Sequence, residues 1–81
     1  MIDKVNKIFN GNLEDSTPSR VNVNCRYAYV GYLHLKKLSR RKIAEQTGYK
    51  LSYVSNAVAK HKDLYQFDKA YKHNFHLLIF T

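Results

Sequence analysis

The chain is poor in several things at once, and each shortage excludes a class of protein. It has one cysteine, Cys25, so no internal disulfide can form, and a reducing cytoplasm is the compartment that fits. On an apolar helical stretch, Cys25 is expected to serve as a small buried residue rather than a reactive thiol. One proline and three glycines in 81 residues, beside 44% hydrophobic residues, exclude a disordered chain. No apolar run approaches the roughly 18 residues that a membrane span requires. The opening Met1-Ile2-Asp3-Lys4 alternates and is charged, unlike a secretory leader. A chain of this length reads as one domain and buries only about 60–65% of its unfolded surface, so its core is small.

Acidic residues are the scarcest class relative to their counterparts. Six Asp and Glu face 14 Lys and Arg, a formal net charge of +8. The imbalance is concentrated. From Lys36 to Lys62 the cations are Lys36, Lys37, Arg40, Arg41, Lys42, Lys50, Lys60 and Lys62, with Glu45 the lone acid, a net charge of +7. Such a concentration fits a polyanionic partner better than it fits a need for solubility.

What is present is helical periodicity. Ile2, Val5, Ile8 and Phe9 recur at helical spacing and stop at Asn10-Gly11, which predicts a helix over 2–9. Residues 10–21 hold the only proline together with Gly, Asn, Ser and Asp, and read as a linker. A longer helix is expected over 22–37, with Val23, Tyr27, Val30, His34 and Leu38 on one stripe that Leu33 widens. Gly31 inside it either allows another helix to approach closely or is a tolerated weakness that costs up to about 1 kcal/mol relative to Ala. Ser39 reads as the N-cap of a helix reaching Thr47, Gly48 as the turn, and 51–62 as the next helix. Asp63-Leu64-Tyr65-Gln66 resembles a capping box and is expected to start the last helix. A hairpin over 64–80 competes for that segment, but Lys69-Ala70-Tyr71-Lys72 makes a poor hairpin tip, so helix is preferred. The expected fold is therefore all-α, about five helices with a central helix-turn-helix. Residues 1–21 form an N-terminal helix and linker, and 22–81 the helix-turn-helix domain with its C-terminal helix.

The informative stretch runs from Arg40 to Val58. Two short helices crossing steeply need a small residue at closest approach, and Ala44 supplies it. The turn needs a residue tolerant of left-handed backbone, and Gly48 follows four positions later. The second helix must then set a β-branched residue against the first, and Val54 comes six positions on. Ile43, Thr47, Tyr49, Ala57 and Val58 complete the inner side. In that geometry the second helix points its N-terminal residues at base edges in the major groove. Lys50, Leu51, Ser52, Ser55 and Asn56 lie outward and are the expected base-reading residues. Asn56 suits adenine, Lys50 the guanine acceptors, and Leu51 a thymine methyl. Arg40, Arg41 and Lys42, with Lys36, Lys37 and Lys60, are the expected phosphate contacts, and at least two of the six are expected to be only solvated charges. Tyr53 is either a phosphate-bonding hydroxyl or a packing ring.

Over a wider window, Arg26-Tyr27-Ala28-Tyr29-Val30-Gly31-Tyr32-Leu33, Lys37-Leu38-Ser39, Ile43-Ala44, Gly48, Ser52-Tyr53-Val54 and Ala57 together resemble the C-terminal DNA-binding domain of the bacterial replication initiator DnaA. The pattern looks closer still to small phage and mobile-element proteins carrying that domain alone, and Asp68-Lys69-x-Tyr71-Lys72 is similar to a tail in the phage forms. The resemblance covers about residues 23–62. It implies a Trp-repressor-like helical domain that binds duplex DNA, a phosphate or minor-groove role for Arg26, and a bacterial cytoplasm as its setting. It also has a limit. The initiator's Arg-Asp-His before its Ser/Thr-Thr-Val would fall at Tyr49, Lys50 and Leu51, where none matches, so the initiator's own DNA box is not the expected target. An 81-residue chain has no room for the ATPase module and carries no Gly-rich phosphate loop, so initiator activity does not carry over.

The expected function is sequence-specific binding of double-stranded DNA by a transcription regulator or replication accessory of a phage or mobile element. The alternative is a protein-binding adaptor or host-takeover factor that uses Tyr65, Phe67, Tyr71, Phe75 and Phe80, a face whose other reading is that it simply covers the core. RNA binding is disfavoured, because a helix reads the deep, narrow groove of A-form RNA poorly. No enzyme activity, cofactor, metal, membrane or small-molecule substrate is expected. His73-x-x-His76 has ligand spacing but no nearby Cys, Asp or Glu to complete a set. Cys25 and His34, nine positions apart on one helix, stand about 13 Å apart along its axis and cannot act as nucleophile and base. Helix-turn-helix proteins often pair, and Leu77-Leu78-Ile79-Phe80 offers a homodimer an apolar surface.

Overall fold

A computed structural model describes residues 2–13 and 19–80. They form five helices and no strand: α1 (Ile2–Phe9), α2 (Arg20–Leu35), α3 (Arg40–Thr47), α4 (Leu51–Phe67) and α5 (Lys69–Phe80).

Each boundary has a local cause. In α1, Asp3 in the first turn and Lys7 in the last complement the helix dipole. The chain leaves α1 through Asn10, which takes left-handed backbone at φ 56°. Two asparagine side chains then hold the following loop: Asn6 Oδ1 accepts from the Leu13 N–H and Asn22 Oδ1 from the Asn12 N–H, each at 2.8 Å. Helix α2 starts two residues earlier than its periodicity suggested, because Ser19 caps it by accepting the Asn22 N–H at 3.2 Å. Residues 14–18, part of the expected linker, lie outside the described residues.

The single stripe expected for α2 is corrected by the structure. Of Val23, Tyr27, Val30, Leu33, His34 and Leu38, only Val30 and Leu33 are buried, whereas Asn22, Cys25, Ala28 and Gly31, off that stripe, are buried too. The reason is the position of α2, which packs against all four other helices and so has no single core-facing side. Two groups of buried residues result. Val5, Phe9, Cys25, Ala28, Tyr71, Phe75 and Leu78 join α1, α2 and α5. Val30, Leu33, Ile43, Val54, Ala57 and Val58 join α2, α3 and α4. Tyr29 and Tyr32 pack against both groups. Burial raises the Cys25 thiol pKa, despite a backbone hydrogen bond at Gly11 and the charge of Arg26 that oppose it, so this cysteine behaves as an apolar core residue.

Helix α4 corrects a second expectation. It does not stop at residue 62 but continues to Phe67, and Asp63 sits exposed in its interior. The break falls at Asp68, whose Oδ1 accepts the Tyr71 N–H at 3.0 Å while its carbonyl accepts from Lys72 at 3.0 Å. Asp68 thus has the capping role the Asp-x-x-Gln pattern assigned to Asp63. Ending α4 at Asp63 would withdraw Leu64 and Tyr65 from the group they pack against. Helix α5 is a helix, as preferred over the hairpin, with Tyr71, Phe75 and Leu78 buried.

Candidate nucleic-acid interface

The helix-turn-helix is built from α3, residues 48–50 and α4. Ser39 Oγ caps α3 by accepting the Lys42 N–H at 3.2 Å. Gly48 ends it at φ 80°, with its N–H on the Ala44 carbonyl at 2.9 Å. Thr47 locks the corner: its hydroxyl donates to the Ile43 carbonyl at 2.7 Å and accepts the Tyr49 N–H at 3.2 Å. Ile43, Val54 and Ala57 are fully buried and Val58 nearly so, while Ala44, Thr47 and Tyr49 are half-buried. The inner side therefore contains the residues the spacing named.

The outer side is free of packing. Lys50, Leu51, Ser52, Ser55 and Asn56 are all exposed, Leu51 at 47%. Lys50 occupies the N-cap position of α4 without a side-chain cap bond, so the first-turn N–H groups of this helix have no side-chain acceptor. Tyr53 is half-buried and meets Tyr49 edge to face, with centroids 5.2 Å apart. Its ring belongs to the packing of the turn. Burial, then the neighbouring Tyr53, raises the Tyr49 phenol above its ordinary pKa, and Arg26 opposes the shift. Half-buried Arg26 therefore lies close to the turn, though it starts from α2.

Lys36, Lys37, Arg40, Arg41 and Lys42 are exposed along the α2–α3 connection and the first turn of α3. Lys36 Nζ stands 5.3 Å from the Tyr32 ring centroid. Lys42 and Glu45 approach to 3.9 Å as an exposed i,i+3 pair, a contact worth little in water. Lys60 lies apart from this group, in an open groove with Arg20, Asp63 and Phe67. Because α4 runs through residue 62, its exposed edge also carries Ala59, Lys62 and Gln66. Of these three, Gln66 lies beyond the expected helix end, whereas Ala59 and Lys62 fall inside the expected helix, Lys62 within its basic segment but without an expected site role.

Other expected features take different places. Tyr71 and Phe75 are core residues, and Tyr65 is half-buried. Of the five aromatic residues considered for a protein-binding face, only Phe67 and Phe80 stand out, each 77% exposed. At the C-terminal end Leu78 is buried, leaving Leu77 and Phe80 exposed. His76 Nε2 and the Tyr65 hydroxyl are 2.6 Å apart, and His73 is exposed. Among the described residues no group of three or more His, Cys, Asp or Glu could hold a metal ion, and no helix is long and apolar enough to cross a membrane.

Compared with family models, curated proteins and solved structures, the chain gives no match.

Proposed function

We propose that the chain is a sequence-specific double-stranded DNA-binding protein, a transcription regulator or replication accessory of a phage or mobile element, with α4 as its reading helix. One observation carries the proposal. The left-handed turn at Gly48 holds α4 against α3 by Ile43, Val54, Ala57 and Val58 while Ser52, Ser55 and Asn56 remain exposed. A helical hairpin that only packed would not need a polar outward edge flanked by cations. Lys36 and Lys37 in the α2–α3 connection and Arg40 and Arg41 in the first turn of α3 are exposed, and a DNA strand bordering the groove would meet them there. The resemblance of residues 23–62 to the DnaA DNA-binding domain supports the same reading. Tyr49, Lys50 and Leu51 at the initiator's Arg-Asp-His positions direct it to a different target sequence.

Selection of bound sequences from a random duplex pool, followed by salt titration of the selected duplex, tests the proposal. A motif should emerge, and with about five phosphate contacts the log–log salt slope should lie near −4 to −5. No enriched motif together with a nearly flat salt dependence would refute it.

A further inference from the structure

The C-terminal half of α4 has a hollow on each side, and the two differ in charge. The larger, about 780 Å³, opens toward α2 and mixes the cations Arg20, Lys60 and Lys69 with the acids Asp63 and Asp68. The smaller, about 390 Å³, opens toward α5 and is lined by His61, Lys62, Tyr65, Gln66 and Lys72, with no carboxylate. Asp63 follows Lys62 directly, but one helical step rotates it about 100° and turns it to the other hollow. The positive charge beside α5 is thus left unneutralised.

One of its cations is also positioned. Lys72 Nζ stands 5.4 Å from the Tyr65 ring centroid, over the ring. Tyr65 is fixed in turn, by the 2.6 Å hydrogen bond between its hydroxyl and His76 Nε2 and by an edge-to-face contact with Phe75. Lys62 comes seven positions after Ser55, about 10 Å along the axis and nearly at the same angle around it. The hollow therefore continues the exposed edge of α4 that begins with Leu51, Ser52 and Ser55.

Length decides what that continuation can meet. A 17-residue helix is about 25 Å long, whereas the major groove is about 12 Å wide. With the first turns of α4 at base edges, its last turns pass beyond the groove to the level of the bordering strand. We infer that Lys62 and Lys72 form a second phosphate clamp, which holds a backbone phosphate of the same duplex whose bases face Ser52 and Asn56. The clamp rests on the DNA-binding reading above. It adds a contact on a part of the fold remote from the cations of α3.

Fluorescence anisotropy with the selected duplex and a scrambled one, across a salt series, tests the clamp. Lys62→Ala with Lys72→Ala should weaken both duplexes about tenfold and make the salt slope shallower by about 1 to 2, leaving the preference between them unchanged. Lys62→Arg with Lys72→Arg should restore the slope. Lys4→Ala with Lys7→Ala removes the same charge from α1 and should not reproduce the effect. An unchanged slope, an equal loss in the Lys4 and Lys7 variant, or a collapse of sequence preference would each overturn the clamp. Failure of the wild-type chain to bind any duplex would instead remove the DNA-binding reading, and would be seen before any variant is made.

Discussion

The imidazole Nδ1 of His61 on α4 lies 2.6 Å from the Tyr71 hydroxyl oxygen on α5. The pair sits where three helices meet. Gly31 of α2 lies beneath the ring, Phe75 stands 4.4 Å from it by centroids, and Tyr65 is 6.1 Å away. Burial lowers the His61 pKa to about 4, with smaller contributions from the nearby charges of His34 and Lys62, and burial also raises the Tyr71 phenol. A neutral imidazole and a protonated phenol suit the bond between them, and both are the forms present at neutral pH.

Stability should therefore fall with acid. The unfolded imidazole titrates near 6.5 and the folded one near 4, so between these values the unfolded state binds more protons. The bond and its packing are fully retained above about pH 6.5 and weaken progressively as pH drops toward 4. Allowing for the part of the ring that solvent still screens, the loss is about 2 kcal/mol. Urea unfolding at pH 7 and pH 4.5 measures it. Replacing both partners with Phe, by His61→Phe and Tyr71→Phe, should flatten that limb; an equally steep limb in the double variant would assign the acid loss to another group.

Gly31→Ala should destabilise, although alanine favours helix over glycine by up to about 1 kcal/mol. A Cβ on residue 31 would lie 2.5 Å from His61 Cγ and Nδ1, and both belong to a ring fixed by Tyr71 and Phe75. Overpacking of this kind costs about 1–3 kcal/mol, so a net loss of about 1–2 kcal/mol is expected in thermal or denaturant unfolding. With His61→Ala in the background the clash disappears, and the same substitution should become neutral or stabilising. An additive double-mutant cycle would show that the two residues are not coupled.

The α3–turn–α4 corner was legible in the sequence, because it depends on residues with few substitutes at fixed spacings, whereas Gly31 stays open between a close helix approach and a tolerated weakness until the His61 ring is placed against it. Ser39, Ala44, Gly48 and Val54 lie within 16 positions and specify their geometry locally. The end of α4 was not legible. Asp63 and Asp68 offer comparable caps, and the choice falls to Leu64 and Tyr65, whose packing partners come from distant parts of the chain. The buried faces of α2 were hidden for a related reason, since a helix with neighbours on several sides spreads its apolar residues around its axis. The hollow between Lys62 and Lys72 depends on the longer α4, because Tyr65 and Gln66 of its lining lie beyond the expected helix end.

A lysine occupies a position where glycine is the usual choice. Helix α2 ends in a Schellman arrangement: the Leu38 N–H reaches the Leu33 carbonyl at 3.4 Å, the Lys37 N–H reaches that of His34 at 3.0 Å, and Lys37 has φ 67°. Leu33 and Leu38 belong to the same apolar group, which completes the motif. Left-handed backbone at a residue with a Cβ costs about 1 kcal/mol. Lys37→Gly should accordingly raise the melting temperature by roughly 4–8 °C. If Lys37 holds a phosphate, the same variant should weaken duplex binding severalfold and reduce the salt slope by about 1. A stabilised protein with undiminished binding would remove Lys37 from the interface.

On the proposed DNA-binding reading, the outward edge of α4 reads bases while the cations of α3 and its connection hold phosphates. Asn56 presents an amide able to pair bidentately with adenine, and Lys50, at the N-cap, presents an ammonium suited to guanine acceptors. Both side chains are exposed and neither has a cap or packing role, so their loss should leave folding intact. Lys50→Ala with Asn56→Ala should erase the difference between selected and scrambled duplexes, each contact being worth about 1–3 kcal/mol of discrimination. Binding to the scrambled duplex should persist, because Arg40, Arg41 and the lysines of the α2–α3 connection contribute to it without regard to sequence. Arg40→Ala with Arg41→Ala should do the reverse, lowering affinity for both duplexes while retaining their ratio. Parallel losses in the two pairs of variants would mean that the edge of α4 adds charge and no recognition, and the reading helix would have to be sought elsewhere in the fold.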